Sequence, residues 1–581
     1  MARSPGQVTI FDVIKRTLEP SEIIISAPSA LEVLAPWLLC PAWPPDVFAV
    51  AATLLELSGC YTQASSVGGS ACEHDSYICE VMDAACAWRD DITQAPDVVH
   101  EWWTRLLESR DISIAELHAD PNSHFDLVAI LLRLFAAADE ACIGIGWSNI
   151  SQPKSGAAEV CLTAFALGIS PVQDLPYVRH SLCIRVSPYT CTVLPKALTA
   201  PVGCTLRSLS HHLALLPSIA FLKAKWLLAD NDPGTGIGTG KPVRLLILPF
   251  PYRVDAESFV PGARFTSLSH AAKMQPYFSI RQTWLTHEGL QITARQLLDE
   301  LVIPLLTLAV GKSFENVVDG ILLPECALSV ELAEELGKLL ALEADKFGLK
   351  FFICGAMNGG TRENLAMNWV FGARDDGGVP FTKGSQAKQH RWALDDSQIN
   401  RYGITALADS SATKWWEDID VSRRKLPFFA VRDDLCMTVL ICEDLARADP
   451  AMDIVRSVGP NLVVALLMDG PQLAQRWSGR YATILAEDPG SSVLSITCAG
   501  MVDRSNLLER NPVRAVGLWR HENGPMQELY LPSGHHAVLI ALDSVPEEQF
   551  TLDHRTDGKS TNRLKLRTIK PLALETVPKW L

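Results

Sequence analysis

The chain has 581 residues, of which 48% are hydrophobic and 20% charged, and a formal net charge of −15. Length and apolar content suit a globular protein of two or more domains and exclude a disordered chain. The acidic balance argues against a nucleic-acid-binding surface, which needs a basic face.

Fifteen cysteines, an odd number, are scattered without a regular framework, as expected in a reducing compartment. Lys15 and Arg16 lie in an N-terminus with no apolar h-region, so no signal peptide is expected. The most apolar long segment, 127–147, is interrupted by Arg133, Asp139 and Glu140 and is too charged to span a bilayer. A cytoplasmic protein that binds neither membrane nor nucleic acid is the expectation.

Residues 1–228 read as a mainly helical domain. The segment 46–59 opens on an acid and closes on Gly59, as a helix does. Segments 97–110 and 125–138 carry apolar residues at helical spacing. Segments 181–187 and 189–194 read as the two arms of a hairpin, and 208–228 as a return to helix. His211 and His212 read as structural, and the Trp102-Trp103 and Trp415-Trp416 pairs as packing residues.

A Gly-rich linker follows at 229–242. It is not a phosphate-binding loop, since Thr235 and Pro242 stand where that pattern needs Gly and Ser or Thr. From 243 to 545 apolar strands alternate with helices, which predicts an α/β domain. Strands are expected at 243–249, 317–324, 349–355, 368–371, 435–442, 461–468 and 492–498. Helices are expected at 292–310, 330–347 and 472–487, and from Glu443 through Arg456. Residues 546–581 read as a C-terminal extension that wraps a neighbour.

Three residues of this α/β region have chemistry in common. Cys442 ends an apolar strand and is followed by Glu443 and Asp444. A thiol at a strand-to-helix turn is a nucleophile position, because helix amides favour thiolate. Glu325 directly follows an apolar strand in Leu323-Pro324-Glu325, and Lys388 lies in a polar connection before Gln389 and His390. Thiol hydrolysis of an amide or nitrile needs this set: a nucleophile, a base, and a cation for the oxyanion. Cys60, Cys72, His74 and Cys79 match no standard zinc spacing, and no metal or cofactor is expected.

With Leu323-Pro324-Glu325, Lys388-Gln389-His390 and Ile441-Cys442-Glu443-Asp444 in this order, residues 243–545 resemble the nitrilase superfamily of carbon–nitrogen hydrolases. The stretch from Phe351 to Gly355 with Asn364 and Asn368, the run from Gly459 to Val464, and Trp477 with Arg480 fit the same pattern. The resemblance implies an αββα sandwich preceded by the helical domain. It implies Glu325 as general base, Cys442 as nucleophile forming a thioester or thioimidate, and Lys388 as the oxyanion cation. The backbone amide of Glu443 would be a second oxyanion donor, with His390 and Asp469 near the substrate. A lysine near the thiol is expected to lower its pKa.

Cys442-Glu443-Asp444-Leu445 is similar to the glutaminase part of NAD synthetases, although no Ser-Gly-Gly-x-Asp-Ser motif follows. The first strand lacks the family's usual glutamine, the long stretch 254–291 precedes the first helix, and Met468-Asp469 replaces a polar residue. These departures bear on the substrate. The resemblance further implies homo-oligomers, with a partner protein able to dock on the helical domain. Two other readings stand beside the hydrolase. One is a nitrilase-like effector or scaffold of a bacterial antiviral system; the other is a metabolite-binding pseudoenzyme.

Overall fold

The computed structural model describes residues 7–18, 37–66, 70–144, 181–201, 203–228, 241–262, 276–311, 317–372, 381–408, 414–432 and 434–581. Most of the expected linker, 229–240, lies outside the described residues.

The first region is helical, with α1 (Ile10–Thr17), α2 (Pro44–Ser58), α3 (Ala71–Asp90), α4 (Asp97–Glu108), α5 (Ile114–Ala119) and α6 (Phe125–Ala141). Thr9 with Asp12 and Ser70 with Glu73 form capping boxes that satisfy the first amides of α1 and α3. Gly59 stops α2 in the left-handed region, where glycine has no Cβ penalty. Helix α6 is buried along almost its whole length, and Phe48, Trp88, Trp103 and Phe135 fill the core around it. Trp102 and Trp103 therefore pack, as their apolar bulk suggests.

Two local expectations fail here. Strand β1 (Cys191–Pro195) pairs antiparallel with β2 (Leu213–Pro217), not with residues 181–187. Residues 208–228 are not a helix; they form β2 and β3 (Lys223–Leu228). Val193, Leu194, Leu213 and Leu216 are buried in a two-strand arrangement that a helical count of apolar residues cannot distinguish over so short a run.

The second region runs β4 (Val243–Ile247), β5 (Phe259–Pro261), β6 (Tyr277–Ile280) and a long helix, α7, made of Ala294–Gln296, a π segment Leu297–Val302 and Ile303–Val310. It continues through β7 (Gly320–Leu322), α8 (Val330–Phe347), β8 (Phe351–Asn358), β9 (Glu363–Phe371), β10 (Phe381–Ala387), β11 (Ala393–Asp395) and β12 (Lys414–Glu417). Then come β13 (Lys425–Arg432), β14 (Leu435–Ile441), α9 (Met452–Val458), β15 (Leu462–Leu467), α10 (Trp477–Glu487) and β16 (Ser492–Thr497). The chain ends through α11 (Ala499–Ser505), β17 (Ala515–Arg520), β18 (Gln527–Tyr530), β19 (Ala537–Glu547) and β20 (Thr561–Leu572).

Two large sheets result. The first has the order β10-β9-β8-β7-β4-β19-β20, and the second β18-β17-β16-β15-β14-β13-β3. A small sheet, β11-β12-β6-β5, lies beside them. Side-chain alternation sorts the layers. Leu245, Ile247, Phe351 and Ile353 join one core with Val439, Val464 and Leu494 of the second sheet. Their neighbours Leu246, Leu248, Phe352 and Cys354 pack instead with Leu301 and Leu305 of α7 and Leu336 and Leu340 of α8.

The second sheet takes its edge strand β3 from the segment read on sequence as helix. Residues 561–572, expected to wrap a neighbour, form the edge strand of the chain's own first sheet, paired antiparallel along β19. The polar residues that suggested an extension fall on the exposed part of an edge strand, where one side faces water.

Candidate active site

Strand β7 runs parallel to β4 and β8, and β14 runs parallel to β15, with β15 parallel to β16. Strands β8 to β10 run successively antiparallel, so β10 points the same way as β8. Glu325 follows β7, Lys388 follows β10 and Cys442 follows β14, so all three stand beyond carboxyl ends of strands. Crevices of open α/β sheets collect functional residues at such ends.

The close approach of Glu325 depends on a glycine. A Cβ on Gly355 of β8 would lie 2.4 Å from the Glu325 Cα, so only glycine lets that strand pass. The Lys388 amide donates to the Asn364 carbonyl oxygen at 2.8 Å, which fixes the exit of β10. Cys442 has φ 47° and Cys326 φ 57°, both in the left-handed region that non-glycine residues seldom occupy. Such backbone costs on the order of 1–3 kcal/mol and clusters at functional sites.

The Lys388 ammonium donates to Glu325 Oε1 at 2.8 Å and to Glu417 Oε2 at 2.7 Å, and all three side chains are at most 1% exposed. Asn364 Nδ2 donates to Glu325 Oε1 at 2.8 Å and Glu417 Oε1 at 2.9 Å, and the Trp392 amide to Glu417 Oε2 at 3.0 Å. Glu325 Oε2 has no hydrogen-bond partner among the described residues. One carboxylate oxygen is thus tied to the lysine and the other is left to accept.

Lys388 pulls the Cys442 thiol down, as expected, but burial outweighs it. Burial pushes the Cys442 thiol well above the ordinary thiol range, Glu325 pushes it further, and Lys388 offsets only part of this. Nor does the thiol head an α-helix, since Cys442–Ala446 is a 3-10 turn. Its surroundings thus favour the thiol over the thiolate. Burial also raises Glu325, against the pull of Lys388 and with the push of Glu417. Burial works against the ammonium, yet Glu325 and Glu417 hold Lys388 well above the usual lysine range. The site is therefore a fixed cation, a carboxylate made more basic by its surroundings, and a thiol.

Of the other expected residues, His390 turns its Nδ1 to Asp444 Oδ1 at 2.9 Å and keeps a quarter of its side chain exposed. The Glu443 side chain pairs with Arg447 at 2.8 Å, which leaves only its backbone for the site. Asp469 does not offer a free carboxylate. It accepts from Tyr402 Oη at 2.6 Å, the Gly470 amide at 2.8 Å, Arg476 Nη2 at 2.8 and 3.0 Å and Trp477 Nε1 at 3.0 Å. It anchors those side chains.

Sequence reasoning missed Glu417, Asn364 and Asp444. Asn364 and Asp444 stood inside quoted motifs. Glu417 ends a four-residue strand, Lys414–Glu417, of the small sheet and follows two tryptophans that read as packing residues, so nothing local marked it. Glu325, Cys326 and Glu417 each bring a donor atom within 4.8 Å of the others, the spacing of a metal site. The two carboxylates already share the Lys388 ammonium.

No family model and no curated protein matches the chain. Among solved structures, about half of the chain is similar to CN-hydrolase superfamily proteins. One, from Xanthomonas campestris and solved with an arsenic adduct in its active site, has 14% identity and a TM-score of 0.29 over 52% of this chain and 91% of its own. A branch 10 nitrilase-superfamily member from Saccharomyces cerevisiae has 12% identity and a TM-score of 0.28 over 52% and 90%. A glutamine-dependent NAD(+) synthetase from Cytophaga hutchinsonii has 13% identity and a TM-score of 0.23 over 52% and 42%. Likenesses at this level assign no chemistry to this chain. No helix among the described residues is long and apolar enough to cross a membrane.

Proposed function

We propose that the two-sheet region, residues 243–545 together with β3 and β20, is an αββα nitrilase-like sandwich that hydrolyses a non-peptide C–N bond, an amide or a nitrile, through Cys442. The observation that carries this reading is the Lys388 ammonium bound to one oxygen of Glu325, while the other oxygen has no partner among the described residues and the buried Cys442 thiol feels the charges of both groups. A buried, basic carboxylate beside a protonated thiol is a general base in waiting.

For an amide, Glu325 takes the thiol proton as Cys442 Sγ attacks the carbonyl carbon. The oxyanion forms against Lys388 and the Glu443 amide. Collapse breaks the C–N bond, and Glu325 returns its proton to the departing nitrogen. A water then gives a proton to Glu325 and attacks the thioester, releasing the acid and the thiol. A nitrile passes through a thioimidate at the first stage. Glu417 and Asn364 orient Lys388 and Glu325. The helical region supplies recognition or assembly.

The test is intact-protein mass spectrometry after incubation with a panel of small amides and nitriles. A covalent adduct at Cys442, absent from Cys442→Ala, is the expected result. An adduct that forms equally on the Cys442→Ala protein would overturn the assignment.

A further inference from the structure

Lys388 and Cys442 belong to different sheets, so no single element sets their separation. The side chain that joins them is Asp444. Asp444 stands two residues after Cys442 in the 3-10 turn and is 1% exposed. Its carboxylate accepts the Gln389 amide at 3.1 Å on both oxygens, the His390 amide at 3.0 Å and His390 Nδ1 at 2.9 Å. Those donors are the two residues directly after Lys388. Successive amides that converge on one carboxylate make an anion-binding nest, and bonds to a charged acceptor are the strong kind. Gln386 adds a cross-sheet bond on the other side of the lysine, from Nε2 to the Val439 carbonyl oxygen at 3.0 Å.

We propose that Asp444 is a positioning residue, a clamp by which the nucleophile turn grips the lysine loop and sets Lys388 against the oxyanion. This rests on the hydrolase reading above. His390 is the clamp's side-chain arm, since its Nδ1–H is committed to Asp444. Asp444 touches neither substrate nor sulfur; it acts through Lys388. An asparagine there places an amide N–H₂ or a weaker neutral acceptor against the backbone donors.

Two reactions separate the clamp from a general structural role. Acylation by p-nitrophenyl acetate develops an oxyanion and needs Lys388 in place; alkylation by iodoacetamide develops none. Misplacement of a catalytic group by about 1 Å costs about 100-fold. Asp444→Asn is expected to lose acylation by about that factor while Cys442 alkylation stays within about threefold. His390→Ala keeps both backbone bonds and is expected to lose acylation about tenfold, so it reports if Asp444→Asn does not fold. Equal losses in both reactions would overturn the clamp, as would no loss in either. Hydrogen exchange over residues 388–392 reads the clamp without any chemistry. Faster exchange of the Gln389 and His390 amides in Asp444→Asn supports it, and unchanged exchange overturns it. Wild-type protein with no Cys442-dependent acylation but with that exchange response would sink the hydrolase reading and leave the clamp standing.

Discussion

Two buried ion clusters in this molecule look alike in composition and differ in what they leave free. In the candidate site Lys388 sits between Glu325 and Glu417. At the junction of the helical region with the sheets, Arg555 sits among Asp139, Glu140 and Asp553, all at most 4% exposed. The Arg555 fork spends its donors on all three carboxylates and on the Leu209 carbonyl oxygen. Asp139 also takes the amides of His211, His212 and Leu213, and Asp553 takes Tyr77 Oη at 2.7 Å. There, despite burial, Arg555 and His212 hold Glu140 well below the ordinary carboxylate range. In the candidate site burial wins and Glu325 rises. The Arg555 cluster is a lock that binds α3, α6 and the loop after β19 into one body. The candidate site keeps an acceptor open and basic.

The contrast can be broken in four ways. Lys388→Met is expected to lower acylation by about 1,000-fold, about 4 kcal/mol of barrier, because the oxyanion loses its main charge. Its stability should suffer less than the charge count suggests, since two close carboxylates share a proton rather than both ionise. Stopped-flow acylation and urea unfolding read the two effects. Arg555→Met should do the reverse, with about 3–5 kcal/mol lost in urea unfolding and the turnover of the folded fraction unchanged. A matching loss of turnover would show that the lock reaches the site.

Asp139→Asn leaves one oxygen for the His212 and Leu213 amides but sets an N–H₂ against the His211 amide and Arg555, and is expected to cost about 1–3 kcal/mol, again without effect on acylation. The subtlest test is pH. Activity should climb as pH rises through the raised pKa of Glu325, because only the ionised carboxylate accepts the thiol proton. Glu417→Gln removes the like charge that helps raise Glu325, so the acid limb should move to lower pH. The stability sign follows: a carboxyl raised in the fold stabilises below its unfolded pKa and loses that contribution as pH climbs through the folded one. An acid limb that does not move would show that Glu417 leaves the Glu325 equilibrium untouched.

How much was legible in the sequence depended on the range of the interaction. The helices at 46–59, 97–110 and 125–138 were readable because cap residues and 3.6-residue spacing are local signals. The strands before Glu325 and Cys442 were readable because apolar runs of strand length stop at polar residues. Residues 208–228 were misread because short apolar runs carry no decisive period. The strand at 561–572 was not legible because an edge strand with one wet side looks polar.

The sequence by itself determined the order of the candidate side chains and that Glu325 and Cys442 would follow strands, since apolar patterning and strand ends are written in consecutive residues. Only the tertiary structure decided that Glu417 completes the cation's surroundings, that Asp444 ties the lysine loop to the turn at Cys442, and that burial outweighs Lys388 at the thiol. The reason is physical: dehydration and charge pairing depend on which distant segments exclude water from one point, and no local pattern records that distance.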